Sequence, residues 1–354
     1  MPSLKEIKTR IASVKNTRKI TSAMKMVASS KLHHAQTAIQ NMLPYENLLE
    51  HILKSFLITV PEVQNEFEMK REIKKVALVV FTSNSSLCGS FNNNVLKLLQ
   101  STVDDYTAQG VEDILIYPVG RKAEEYAIKR GFRIAGSFLS LAEKPKATDC
   151  ALISQELQTK FVAHEVDKVE LIYHHFKSVG SQVLSRKVFL PIDLSTENIG
   201  LENDRDLSGN VTTAKAQEYI KNKAKAKAET KKKSSAEMLN DNFIVEPNLN
   251  MVLSSLIPKE LNLQIYTALL DSNASEHAAR MIAMQTATDN ADELLRALNL
   301  QYNKSRQQAI TSELLDIVGG SINNSARARD KSQWGKIKKR ASVPPPRLRE
   351  TKNT

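Results

Sequence analysis

The polar and apolar positions of this chain fall into two textures. Residues 3–43 and 259–318 contain neither Gly nor Pro, and their apolar residues recur at steps of three and four. Leu4, Ile7, Ile11 and Val14 have the spacing of a heptad seam. The seam then shifts through Ile20, Met24, Val27 and Ala28, as a stutter produces. Near the other end Ala287, Ala291, Leu294, Leu298 and Tyr302 repeat the pattern, followed by Ile310, Leu314 and Ile317. A helix of about 60 residues is about 90 Å long at 1.5 Å per residue, far beyond the usual globular helix of about 11–12 residues. The two segments therefore predict coiled-coil helices, over 1–60 and 243–324, that pair antiparallel.

The middle of the chain reads differently. Lys75–Thr82 is a short, continuous apolar run of the kind buried in parallel sheets. A polar loop follows, Ser83–Ser90, and then a helical stretch from Asn92 to Gln109 closed by Gly110. Asp113–Pro118 predicts a second strand, Arg121–Arg130 a helix, Ala151–His164 another helix and Val169–Phe176 a third strand. After a turn at Ser178–Ser181, Val183–Leu190 predicts a strand returning antiparallel. This order describes a small three-layer α/β domain over 72–195. Residues 196–242 are a lysine-rich insertion, and 325–354, which contain Pro344, Pro345 and Pro346, are expected to form a basic disordered tail.

Composition narrows the class. Apolar residues make up 41% of the chain and charged residues 25%, the balance of a soluble protein with a core. Aromatics at 5% and only 11 Gly argue against an all-β sandwich. No run of 18 apolar residues is present, and the start MPSLKEIKTR has no apolar leader. Cys88 and Cys150 are too few for a disulfide framework and fit a reducing compartment. The net charge of +11 is concentrated: 325–354 holds ten Lys/Arg against Asp330 and Glu350, or +8. Residues 1–34 hold eight Lys/Arg against Glu6, or +7, and 215–233 hold eight Lys against Glu218 and Glu229, or +6. Residues 259–318, with five basic and eight acidic side chains, carry −3. The two predicted helices thus have opposite charge, and a general nucleic-acid surface is not implied.

A search for chemistry finds little. No G-x-G-x-x-G follows the strand at 75–82, and no G-x-x-x-x-G-K-[ST] occurs. The loop Thr82–Asn92 has hydroxyls but one Gly, which reads as a capped strand-to-helix turn with Cys88 packed as a small apolar group. His33–His34 and His174–His175 are adjacent pairs, which point apart on a helix or strand. No metal-ligand spacing appears. No catalytic residue, cofactor or metal is expected, and a mechanical or scaffold role fits better than an active site. An α/β nucleotide-dependent enzyme with helical extensions, and a basic coiled-coil nucleic-acid-binding protein, stand as alternatives. Binding of ATP, ADP or NAD by the lone chain, or sequence-selective DNA binding that survives loss of 325–354, would favour one or the other.

The two ends also carry a resemblance. Ile7–Lys31, IKTRIASVKNTRKITSAMKMVASSK, resembles the N-terminal helix of the gamma subunit of rotary F-type ATP synthases. Glu276–Met284, Ala287–Ala291, Tyr302–Gln307 and Ala309–Thr311 through Ile317–Gly320 resemble that family's C-terminal signature. Thr82–Ser83, Leu87–Gly89, Val119–Lys122 and Phe243–Pro247 agree more loosely. The resemblance covers 1–195 and 243–324. It implies an axle inside a ring of three alpha and three beta subunits, with the foot and an epsilon subunit on the c ring of the membrane sector. Proton-driven rotation of that ring then changes nucleotide affinity at the beta sites. It also implies contacts to the beta subunit through Met24 and Lys25 on the first helix and Arg306, Gln307 and Thr311 on the last. It places the chain peripherally, on the cytoplasmic side of a bacterial inner membrane. The departures are a less charged loop at 82–88, a 195–242 insertion without the cysteine pair of chloroplast relatives, and the basic residues after Asn324.

Overall fold

A computed structural model describes residues 3–59, 66–68, 71–192, 245–246 and 249–341; of 319–341 it describes the backbone alone. The elements are α1 (Leu4–Thr59), β1 (Lys75–Phe81), α2 (Phe91–Ala108), β2 (Asp113–Val119), α3 (Arg121–Arg130), β3 (Arg133–Ile134), α4 (Leu139–Glu143), α5 (Ala147–Val162), β4 (Lys168–Ser178), β5 (Ser181–Leu190) and α6 (Leu249–Ala341). A 3-10 turn at Glu66–Glu68 precedes the sheet. Contacts divide the chain into two units, Ile20–Thr288, and Met1–Lys19 with Asp289–Thr354.

The first unit is built on a five-stranded sheet of order β3-β2-β1-β4-β5, parallel except for β5. Central β1 is buried on both faces from Val76 onward, which is why its sequence does not alternate. Val76, Leu78 and Val80 turn to one side, with Ile116 and Ile172, under Val95, Leu99 and Val103 of α2 and Ala123 and Ala127 of α3. Ala77, Val79 and Phe81 turn to the other. There they meet Cys150, Ile153, Leu157 and Phe161 of α5, Leu49, Leu53 and Phe56 of α1, and Leu253 to Leu269 of α6. The expected three layers are present, and the second face is closed by both chain ends as well as by α5. β3 and α4 are additions to the sequence reading. A two-residue strand is shorter than any pattern can register, and α4 is one turn of helix.

Glu170 is a buried carboxylate on β4. It accepts from Tyr106 Oη at 2.6 Å and Arg186 Nε at 2.6 Å, and pairs with Lys168 Nζ at 2.9 Å. Burial alone would lift its pKa, but the hydrogen bonds from Arg186, Lys168 and Tyr106 outweigh it and hold the carboxyl below its ordinary range. The cluster fixes edge strand β5 and α2 to β4.

In the same unit the helical pair is antiparallel. Leu32, Ala35 and Ile39 of α1 pack with Leu270, Ala274 and Ala278 of α6, and Thr21 and Thr288 hydrogen-bond through their hydroxyls at 2.9 Å. Of the expected seam through Ile20, Met24, Val27 and Ala28, Ala28 is buried as expected and the other three need correction. These side chains are 56%, 42% and 58% exposed, while Thr21, Ala28 and Leu32 are buried. Small Thr21, Ala28, Ala35, Ala274 and Ala278 let the two backbones approach closely beside the larger Leu32, Ile39 and Leu270, while Ile20, Met24 and Val27 lie outside. α1 passes through Pro44 and α6 through Pro258 without ending. The cost of a proline inside a helix, about 3 kcal/mol, is met by the packing of Leu49, Leu53, Leu253 and Ile257 beside it.

In the other unit Ile7, Ala291 and Leu298 are buried, and Arg18 Nε pairs with Asp292 Oδ1 at 2.5 Å. Here too the expected seam needs correction. Leu294 is 41% exposed, and Ile310, Leu314 and Ile317 are 45%, 57% and 68% exposed. The helical backbone runs to Ala341, past the boundary at 324 where the sequence reading starts a tail. The strong breakers Pro344, Pro345 and Pro346 come only after that point. The insertion at 196–242 and residues 342–354 lie outside the described residues.

Gly120 joins β2 to α3 at φ +104°, and a Cβ there would lie 2.2 Å from the carbonyl oxygen of Thr82. The close approach lets Thr82 Oγ1 accept the Ala123 N–H at 2.9 Å, which caps the start of α3. Gly120→Ala should therefore lower unfolding free energy by about 3 kcal/mol or more, from backbone strain plus overlap. Urea denaturation followed by circular dichroism measures it, and a change within 0.5 kcal/mol, taken as about the scatter of surface substitutions, would contradict the assignment.

Candidate functional site: an exposed helix end and a polar junction

On α1, Met24 is exposed and Lys25 half-buried, on the same turn as exposed Met26 and Val27. On α6, Arg306, Gln307 and Thr311 are all exposed. Gln307 and Thr311 are one turn apart and share a face, with Thr311 Oγ1 donating to the Gln307 carbonyl at 2.8 Å. Arg306 lies about 100° round the helix from Gln307. The five predicted contact residues thus form two groups, Met24 with Lys25 in one unit and Arg306, Gln307 and Thr311 in the other.

The sequence reading missed what surrounds the second group. Ala309 is the last partly covered residue before a stretch, 310–318, that is exposed at every position. Leu315 and Val318 join Ile310, Leu314 and Ile317 there, at 66% and 55% exposure. Five large apolar side chains on nine residues of helix form a patch of the kind that marks a partner surface. The spacing reads as a seam within the chain, but it belongs to a surface that the described residues leave exposed.

A second missed feature lies on α6 between its apolar foot and its paired stretch. Asp271, Ser272, Ser275, Glu276 and His277 are buried, a polar run inside an otherwise apolar packing face. His175 Nδ1 of β4 is 2.7 Å from Asp271 Oδ2. Ser275 Oγ donates to the His174 carbonyl at 3.3 Å, and Asn273 Nδ2 to the Ala142 carbonyl at 3.0 Å. Arg280 pairs with Glu276 and donates from Nη2 to Ser85 Oγ at 2.8 Å, in the loop after β1. Burial lifts the Glu276 carboxyl above its ordinary range, against the pull of Arg280. His174 stacks on Phe91, with ring centres 4.5 Å apart. Burial pushes it down to about 4, and His277 also goes down to about 4, from burial first and then from Arg280 and Lys31.

The loop after β1 is where a doubly wound sheet would hold a phosphate. Here its groups serve the loop itself. The Ser83 N–H donates to Asn92 Oδ1 at 3.1 Å, Asn92 Nδ2 donates to Ser83 Oγ at 2.8 Å, and Ser83 Oγ donates to the Ser85 carbonyl at 2.5 Å. No side chain caps the α2 N-terminus at Ser90, so the expected cap is replaced by this internal network. Among the described residues no group of three or more His, Cys, Asp or Glu is placed to hold a metal ion.

Comparison with known proteins places this geometry. A family model described as ATP synthase matches residues 3–322. The ATP synthase gamma chain of Phocaeicola vulgatus is 51% identical over 322 residues, covering 91% of this chain and 100% of the relative. That of Flavobacterium johnsoniae is 38% identical, over 91% and 98%. Among solved structures, a chain of the Euglena gracilis mitochondrial ATP synthase (OSCP/F1/c-ring, rotational state 3) matches over 99% of both chains with a TM-score of 0.58, at 19% identity. A chain of the Tetrahymena thermophila mitochondrial ATP synthase (central stalk/c-ring) matches over 76% of this chain and 99% of its own, at 25% identity and a TM-score of 0.50.

The two buried histidines set an acid limit on stability. Folded, they stay neutral down to about pH 4, whereas an unfolded histidine binds its proton near 6.5. Their contribution is complete above about pH 6.5 and is lost as pH falls toward about 4, at most about 3 kcal/mol each. Melting temperature should fall steadily over that window, and His174→Gln with His277→Gln should flatten the slope. An unchanged slope in the double variant would show that other groups govern acid stability.

Proposed function

The chain belongs to the family of ATP synthase gamma chains, and from that membership we infer how its parts work. It is the central-stalk rotor subunit of an F-type ATP synthase, working with the alpha and beta subunits, an epsilon subunit and the c ring. The observation that carries the inference is the helix at 310–318, exposed at every position, where Ile310, Leu314, Leu315, Ile317 and Val318 face solvent. Such a surface gains by entering an apolar sleeve, and a ring of partner subunits supplies one. The exposed basic side chains of α1, Lys5, Lys8, Arg10, Lys15 and Lys19, suit an acidic partner surface by charge, through contacts that exchange as the rotor turns. Met24 and Lys25 on α1, and Arg306, Gln307 and Thr311 on α6, touch the beta subunit.

The chain's own part is mechanical. Nucleotide chemistry belongs to its partners, a reading supported by the β1–α2 loop, whose polar groups are engaged with one another and with Arg280. No described helix is long and apolar enough to cross a membrane. The chain is a peripheral part of a membrane complex, on the cytoplasmic face of a bacterial inner membrane, a placement that rests on its bacterial relatives.

Co-expression with partner alpha and beta subunits tests the assignment directly. The chain should co-purify with them, and Leu314→Asp with Ile317→Asp should abolish that association while leaving the free chain folded. Arg306→Ala with Gln307→Ala should leave the free chain's stability within about 0.5 kcal/mol of the parent, as exposed substitutions do. In the assembled complex the same pair should lower ATPase rate or coupling about threefold to tenfold, the loss of about 1 kcal/mol of partner contact. Should the double variant unfold the free chain and leave assembled activity intact, the contact assignment is wrong. Tight saturable binding of ATP by the chain alone would favour a nucleotide-dependent enzyme instead.

A further inference from the structure

We propose that the polar run of α6 at Asp271–Arg280, its polar side chains buried except at half-buried Asn273 and Arg280, is a torsional key, the set of contacts that makes the sheet domain and α6 turn as one body. The proposal rests on the rotor reading and names the residues that carry torque between the two.

Torque about a helix axis is resisted only by contacts that oppose tangential sliding. Apolar packing is non-directional, so the smooth apolar face of α6 from Leu253 to Leu270 holds the helix against the sheet but resists rotation weakly. Hydrogen bonds and ion pairs have preferred distances and angles, and a small rotation breaks them. The run at 271–280 supplies such contacts to three separate elements of the sheet domain. Asp271 and Ser275 reach β4, through His175 and the His174 carbonyl. Asn273 reaches α4 at the Ala142 carbonyl, and Arg280 reaches the loop after β1 at Ser85.

Their angular positions matter more than their number. At 100° per residue, Asp271 and Ser275 lie within about 40° of each other, while Asn273 and Arg280 lie about 180–200° round from Asp271. The helix is gripped from opposite sides, so the tangential forces form a couple. Burying polar groups here is costly unless they are paired, and Asp271, Asn273 and Ser275 are paired with the sheet domain. A requirement for directional contact accounts for the polar choice. All of these residues belong to the single unit Ile20–Thr288.

The test uses the whole complex, with the ring of alpha and beta subunits fixed to a surface and a bead attached to the sheet domain. Cys88 and Cys150 are buried, so Ile128→Cys on α3, at a side chain 66% exposed, gives a selective attachment point. Asp271→Asn with Ser275→Ala weakens one side of the grip, and Asn273→Ala alone weakens the other with less risk to folding. Each variant is expected to assemble and hydrolyse ATP at the parent rate without load. The variance of bead angle in the paused state should rise, about twofold for the first variant, because thermal angular variance varies inversely with the stiffness of the joint and one of its two sides of directional contact is lost. Hydrolysis-driven pumping against a gradient should fall with it. A merely structural role would lower melting temperature and leave the angular variance alone. Parent-level variance in either assembled variant overturns the proposal. If the first variant does not assemble, the Asn273→Ala result decides. A parent chain that fails to join alpha and beta subunits would instead overturn the rotor reading itself.

Discussion

One face of the sheet is closed by helices from the two ends of the chain, and the rest of the structure depends on that closure. Ala77, Val79 and Phe81 would be open to water with α5 as their only cover. Leu49, Leu53 and Phe56 of α1 and Leu253 to Leu269 of α6 complete it. The hydrophobic gain from that closure makes the terminal helices part of the domain's core. A rotor needs this arrangement, because a helix that shares the core stays seated on the sheet as the sheet turns.

The helical pair divides its side chains between two tasks. Thr21, Ala28, Ala35, Ala274 and Ala278 take the inner positions, where small size lets the backbones approach. Ile20, Met24, Met26 and Val27 on α1, and Ile310 to Val318 on α6, remain outside. An isolated globular protein gains nothing from exposing so many large apolar groups. A subunit whose surface is completed by a surrounding ring does, and the ordinary hydrophobic rule is satisfied at the level of the complex.

The polar groups follow a parallel division. Glu170 with Arg186 and Tyr106 fixes the sheet edge, and the Asp271–Arg280 run fixes the sheet to α6. In both the contacts are directional, and the gain is geometric definition. His174 and His277, held neutral by burial, keep the junction free of unpaired charge at neutral pH.

Much of this was legible in the sequence, because its signals are local. The breaker-free stretches announce long helices, since nothing but Gly or Pro strongly opposes one, and β1 announces a buried strand by its unbroken apolar run. α3 begins at Arg121 and ends at Arg130 as the pattern predicts, with Gly131 in the left-handed conformation that closes it. The terminal motifs carried the family, since they are long, ordered and far apart. What the sequence could not decide is which of several apolar positions faces inward. Ile20, Met24 and Val27 have seam spacing yet lie outside, whereas Ala28 of the same seam and the unexpected Thr21 lie inside, because close approach depends on the residues opposite. Ile310, Leu314 and Ile317 have seam spacing but are left uncovered within this chain. Nothing in the helix pattern marks Asp271 as the partner of His175, which β4 brings to 2.7 Å. Periodicity is a property of one helix, whereas burial is a property of two surfaces, and only the tertiary structure supplies the second.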